Sequence, residues 1–175
     1  MKKTIKLLTT LFCTFCLILS VVPNTTYAEP QSTVDSFSSQ NILWTQTEGD
    51  TTIICYVIDA PPATARVTSK SISLGYRVLI DNVYSYTIRH DITFAYGIPL
   101  NGSHVAQITS GSAYVSATNS SSAYYPDTSS LTTNRGTVAN PAIFTSSIKT
   151  YIKSSNKLHG TLNCYSYCYG NGTYQ

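Results

Sequence analysis

From Ser71 onward the chain alternates apolar and polar side chains with few slips. Ile72, Leu74, Tyr76, Val78 and Ile80 share one parity, and beyond Asp81-Asn82-Val83 the same parity carries Tyr84, Tyr86, Ile88, His90, Ile92, Phe94, Tyr96 and Ile98. The opposite parity holds Ser85, Thr87, Arg89, Asp91, Thr93, Ala95 and Gly97. A helix would repeat its apolar positions every third or fourth residue, so a period of two predicts strands with one face hidden from water. A three-residue loop at 81–83 would set Ile80 across from Tyr84 and keep both rails on that face. A two-residue loop would turn the partner rail outward. So long a run also predicts a bend or bulge near Arg89 to Asp91.

The same pattern recurs on either side. In "NILWTQTEGDTTIICYVI", Gly49-Asp50 fits a two-residue turn with Gly first, which sets Trp44 opposite Cys55 and Ile42 opposite Val57. Pro61-Pro62 ends that hairpin. Asn101-Gly102 predicts another, with Val105 opposite Ile98 and Gln107 opposite Tyr96, and Ser110-Gly111 separates it from a short strand "SAYVSAT". Residues 119–140, rich in Ser, Thr and turn formers, show no period and read as a long loop. Alternation resumes in "AIFTSSIKTYIKSS", where Phe144, Ile148 and Ile152 share a face. After a turn near Asn156, Leu162, Cys164, Ser166 and Cys168 fall on one side, with Tyr165, Tyr167 and Tyr169 on the other. These segments predict an all-β domain of about seven to nine strands. The expected architecture is a single antiparallel β-sandwich of immunoglobulin-like or Greek-key type, with a small β-barrel as the alternative.

The N-terminus changes the reading of charge. Lys2, Lys3 and Lys6 precede an apolar stretch from Leu7 to Val22, and Thr26-Tyr27-Ala28 places small residues where a signal peptidase cuts. Residues 1–28 are therefore expected to be a cleaved secretory signal and 29–40 a flexible leader. Residues 41–175 form the β-domain, and the mature protein is secreted. Three of the eleven Lys and Arg residues lie before Ala28, leaving eight against eight Asp and Glu, a net charge of zero. Nucleic-acid binding depends on a basic footprint that such a domain lacks. Its richness in Ser, Thr and Tyr suits pleated structure with a polar, weakly charged surface.

Three cysteines follow the signal. Cys164 and Cys168 on one strand would stand about 13 Å apart, beyond the ~7 Å limit between Cα atoms for a disulfide. In an oxidising compartment the expected bridge joins Cys55 to Cys164 or Cys168, the other reading being three buried thiols.

Candidate chemistry is sparse. His90 and Asp91 are adjacent on a strand, so their side chains point to opposite faces and the carboxylate cannot orient the ring. A core or rim position for His90, hydrogen-bonded to backbone, follows. Ser103 and His104 fail the same test, and no G-x-S-x-G elbow is present. His159, Cys164 and Cys168 are close in sequence, but the two sulfurs are spaced too far along a strand to share one zinc. No metal and no cofactor is expected, and no catalytic residue is assigned. What remains is aromatic display: Tyr165, Tyr167 and Tyr169, with Tyr151 placed across from them, offer stiff amphipathic surface for a sugar or protein partner. The function expected is a secreted, non-enzymatic module binding a polysaccharide or protein at the cell envelope or outside the cell. Two alternatives stand beside it. One is a β-pore-forming toxin that meets the membrane through 84–97. The other is a secreted hydrolase without a recognisable motif.

Overall fold

The computed structural model describes residues 41–60 and 68–175; the expected signal and leader lie outside them. The described residues form eight strands: β1 (Ile42–Glu48), β2 (Thr51–Asp59), β3 (Ser69–Ile80), β4 (Val83–Leu100), β5 (Ser103–Thr118), β6 (Tyr124–Arg135), β7 (Ala142–Ile152) and β8 (Lys157–Cys168). They make two antiparallel sheets, one in the order β1-β2-β3-β4-β5 and one in the order β6-β7-β8. The class is the expected one, all-β in two sheets with a strand count inside the expected range. The winding is simpler than expected. Among the described residues every strand pairs only with its neighbours in sequence, so each sheet is a meander there, without the returning strand of an immunoglobulin-like or Greek-key fold. Two-residue turns join β1 to β2, β3 to β4 and β4 to β5. The sheets also keep open edges, so the barrel alternative does not apply.

Turn chemistry sets the registers. Glu48 pairs with Thr51 around Gly49, whose φ is +61°, and Trp44 faces Cys55 as expected. A shift between Ile42 and Trp44 moves Ile42 from Val57 to Tyr56. Asp81 and Asn82, at φ of 53° and 62°, form a two-residue type I′ turn instead of the three-residue loop, and Ile80 pairs with Val83. The parity this would break is restored one step further on. Leu79 pairs with Tyr84 but Val78 with Tyr86, a bulge that returns Tyr76, Leu74 and Ile72 to the same face as Ile88, His90 and Ile92. The ladders run unbroken through Arg89 to Asp91, and the irregularities of the β4–β5 ladder fall instead after Thr87, Thr93 and Ala95. Ile98 meets Val105 as expected, whereas Gln107 meets Ala95 because Gly97, at φ +70°, carries the chain out of register.

Two segments differ from the sequence reading. Ser110-Gly111 is no boundary, since β5 runs straight through it. Gly111 provides clearance there: a Cβ would stand 2.6 Å from the buried Phe144 ring. The stretch 119–140 is no long loop, because β6 occupies its middle and pairs with β7 on either side of an irregularity between Asp127 and Thr132. At that irregularity the Asp127 carboxylate accepts hydrogen bonds from the Ser129 amide (3.1 Å) and hydroxyl (2.6 Å). β6 is an edge strand of mostly exposed or half-buried residues, so it carries no apolar rail to read.

The facing sides of the sheets share one core. Tyr76, Tyr86, Ile88 and Phe94 contribute from the larger sheet, and Ala142, Phe144, Ile148, Cys164 and Cys168 from the smaller. Cys55, Cys164 and Cys168 are free thiols in that core, so the expected bridge from Cys55 to Cys164 or Cys168 is not formed. Burial pushes the Cys55 and Cys168 thiols up to about 12 and raises Cys164 as well. The cysteines act as small apolar fillers, and a domain of this length reaches a sufficient core without a staple.

Candidate functional site

His90 is fully buried and lies at the centre of a polar ring joining the sheets. Its Nδ1 is 2.8 Å from the Ser166 hydroxyl and its Nε2 is 2.6 Å from the Ser146 hydroxyl. Ser166 in turn meets the Tyr76 hydroxyl at 2.6 Å, and Tyr76 donates to the Tyr165 carbonyl at 3.0 Å. The partners are thus side chains of the opposite sheet where backbone was expected. Burial lowers the imidazole to about 3, keeping it neutral at ordinary pH. Asp91 lies on the other face, as strand geometry requires. It accepts from Ser73 (2.5 Å) and from Arg89 Nε (2.8 Å). Burial opposes ionisation of Asp91, but those hydrogen bonds and the Arg89 charge outweigh it and hold the carboxyl below its usual value. A serine beside a histidine is therefore present, yet sealed from any substrate.

His159 is likewise drawn away from the cysteines. Its Nε2 is 3.4 Å from Asp50, and its ring packs on Tyr124 with centroids 4.7 Å apart. Tyr124 donates to Asp81 at 2.9 Å.

The tyrosines separate into two groups. Tyr165 and Tyr167, opposite Thr145 and Ile143 of β7, stack with centroids 6.5 Å apart and planes inclined by 25°. Tyr151 is not across from them. It faces Leu158 at the far end of the β7–β8 ladder and stacks on Tyr125, whose hydroxyl donates to Asn156. The turn between Ile152 and Lys157 sets that displacement, since Tyr151 is next to the last residue of β7 whereas Tyr165 lies eight residues into β8. Tyr169 sits past the end of β8, where its amide donates to the Thr173 carbonyl (2.9 Å) and its hydroxyl reaches the Gln175 side chain (3.4 Å).

Tyr165 and Tyr167 line a cavity of about 360 Å³ with Trp44, Thr45, Gln46 and Gln175. The sheet orders make β1 and β8 edge strands, the end of β8 being flanked by the residues around Tyr174, and the cavity is lined from these two edges. Trp44 reaches it while packing on Tyr76, with ring centroids 6.0 Å apart. Gln175 is held there by a pair of backbone hydrogen bonds to Tyr167, at 2.7 and 2.9 Å. Aromatic faces and amide groups together suit the apolar CH faces and hydroxyl edges of a sugar. Opposite Cys55, Trp44 is half-buried against the core; its place beside the tyrosines depends on how two distant edges meet. Gln46 and Gln175 carry no sequence signal at all.

Comparison with protein-family models, with characterised proteins and with solved structures returns no match.

Proposed function

We propose that the protein is a secreted, non-enzymatic β-sandwich module that binds polysaccharide at the cell envelope or outside the cell. The observation that carries this reading is the convergence of Trp44, Tyr165 and Tyr167 with Gln46 and Gln175 on one open cavity. Tyr165 is 40% exposed, which for so large a ring leaves a face free to stack. The signal-like N-terminus supports export. The sealed surroundings of His90 and the pairing of Asp91 with Arg89 support a binding role over a hydrolytic one at those residues. The pore-forming alternative loses support because residues 84–97 lie in β4, flanked by β3 and β5, with Tyr86, Ile88, Ile92 and Phe94 in the core. Releasing that strand would dismantle the sandwich.

Affinity electrophoresis and calorimetry against cell-wall and matrix glycans test the proposal. Tyr165→Ala and Trp44→Ala should each weaken binding by about tenfold or more, equal to ~1.4 kcal/mol, while Tyr151→Ala leaves it unchanged. Retention of full affinity by a folded Tyr165→Ala, Trp44→Ala double variant would remove the cavity from the claim. Binding to an envelope protein with no glycan affinity would point to the protein partner instead.

A further inference from the structure

We infer that the aromatic cavity is one end of a longer groove whose other end is acidic, and that the groove selects polysaccharides carrying free amino groups. The inference rests on the polysaccharide reading above and names the chemistry of the ligand. Gln46 lines both the aromatic cavity and a second one, of about 320 Å³, further along the same edge. Glu48, Asp50, His159 and Thr161 are among the walls of that second cavity. Along β1 the walls run in order from Trp44 through Gln46 to Glu48. Along β8 they run in the opposite sense, from Tyr167 and Tyr165 to Thr161 and His159. Trp44 to Glu48 alone covers about 13 Å of extended chain, longer than a single sugar ring.

The charge of this groove has one sign. Glu48 and Asp50 line it, Asp81 lies next to Asp50 through an amide-to-carbonyl hydrogen bond of 2.9 Å, and no Lys or Arg lines either cavity. His159, itself in the wall, has its Nε2 3.4 Å from Asp50, and Lys157 stands two residues before it on β8. A stretch walled by two carboxylates and joined to an aromatic platform complements a neutral ring followed by a cationic one. A uronic-acid polymer would meet repulsion at the same place. Exposed ion pairs are individually weak, so the acidic end sets preference while the aromatic end supplies most of the affinity.

The test uses β-1,4-linked glucosamine oligomers and their fully N-acetylated counterparts of equal length, titrated calorimetrically into the protein at low salt and again at high salt. The glucosamine oligomer should bind several-fold to about tenfold more tightly, with the preference shrinking as salt rises. The Glu48→Gln, Asp50→Asn double variant should collapse the ratio of the two affinities towards one, whereas Tyr165→Ala should weaken both oligomers together. Equal binding of the two oligomers, or a preference that survives the double variant, overturns the inference and leaves the polysaccharide reading standing. Absence of binding to either oligomer and to every other glycan tried overturns both.

Discussion

A neutral imidazole held between two serine hydroxyls makes His90 a pH-sensitive element of stability. Burial lowers its folded value to about 3, against an ordinary value of 6.5. Between those two points the unfolded chain binds a proton that the folded protein refuses. Stability is therefore fully present above 6.5 and falls as pH drops towards 3, by about 1.4 kcal/mol per pH unit. Asp91, held below its ordinary value of 3.8, adds its own loss only at the acid end of that range. Urea denaturation from pH 7 to pH 4 should show this slope in the native protein. His90→Gln, which keeps groups able to meet Ser146 and Ser166, should flatten it; an unchanged slope in that variant would place the acid sensitivity elsewhere. The sequence exposed half of this. Strand alternation put His90 on the inner rail and Asp91 on the outer, but the serines that hold the ring are 56 and 76 residues away in sequence. No local pattern marks such partners, because a serine on an inner rail looks like any other small residue.

At the scale of the element, the β3–β4 hairpin shows a turn and a bulge acting together. Asp81-Asn82 adopts the left-handed conformation at both positions, which matches the twist of the flanking strands. The bulge at Tyr84 to Tyr86 then repairs the face. The exposed Asn82 side chain does nothing for the core, so substitution there reports on the backbone alone. Asn82→Gly should raise the urea midpoint, and Asn82→Val should lower stability by about 1–2 kcal/mol, since a branched side chain resists positive φ. A Val variant as stable as the native protein would refute the turn assignment. Hairpins with apolar rails were legible because burial imposes the alternation. β6 was not, because an edge strand rich in Ser and Thr has little to hide, and the irregularity after Asp127 breaks what rhythm it has. Gly111 misled for a related reason: it is read locally as a turn former, whereas its role is to admit a ring from the other sheet.

Across the whole molecule, the three thiols report on whether the sheets remain together. Cys55 belongs to one sheet and Cys164 and Cys168 to the other, and all three are buried in the shared core. Both burial and the raised thiol values suppress the thiolate that reacts with alkylating or disulfide reagents. In the folded protein all three should resist such reagents, and all three should become reactive over the same denaturant range that abolishes the β-sheet signal. Rapid labelling of any one in native buffer would show that part of the sandwich opens independently. The candidate groove was partly legible at this scale. Alternation displayed Tyr165 and Tyr167, but only the meeting of a first and a last strand brings Trp44, Gln46 and Gln175 to them. The polar ring in the interior has a further effect on that meeting. Were the sheets to slide past each other by one pleat, the imidazole and the hydroxyls of Ser146, Ser166 and Tyr76 would all lose their partners, at about 1–3 kcal/mol for each stranded group. The ring thus works as a key that admits a single alignment. Because the Tyr76 hydroxyl also grips the carbonyl of Tyr165, the width of the surface cleft is dictated from inside, by residues hidden from solvent.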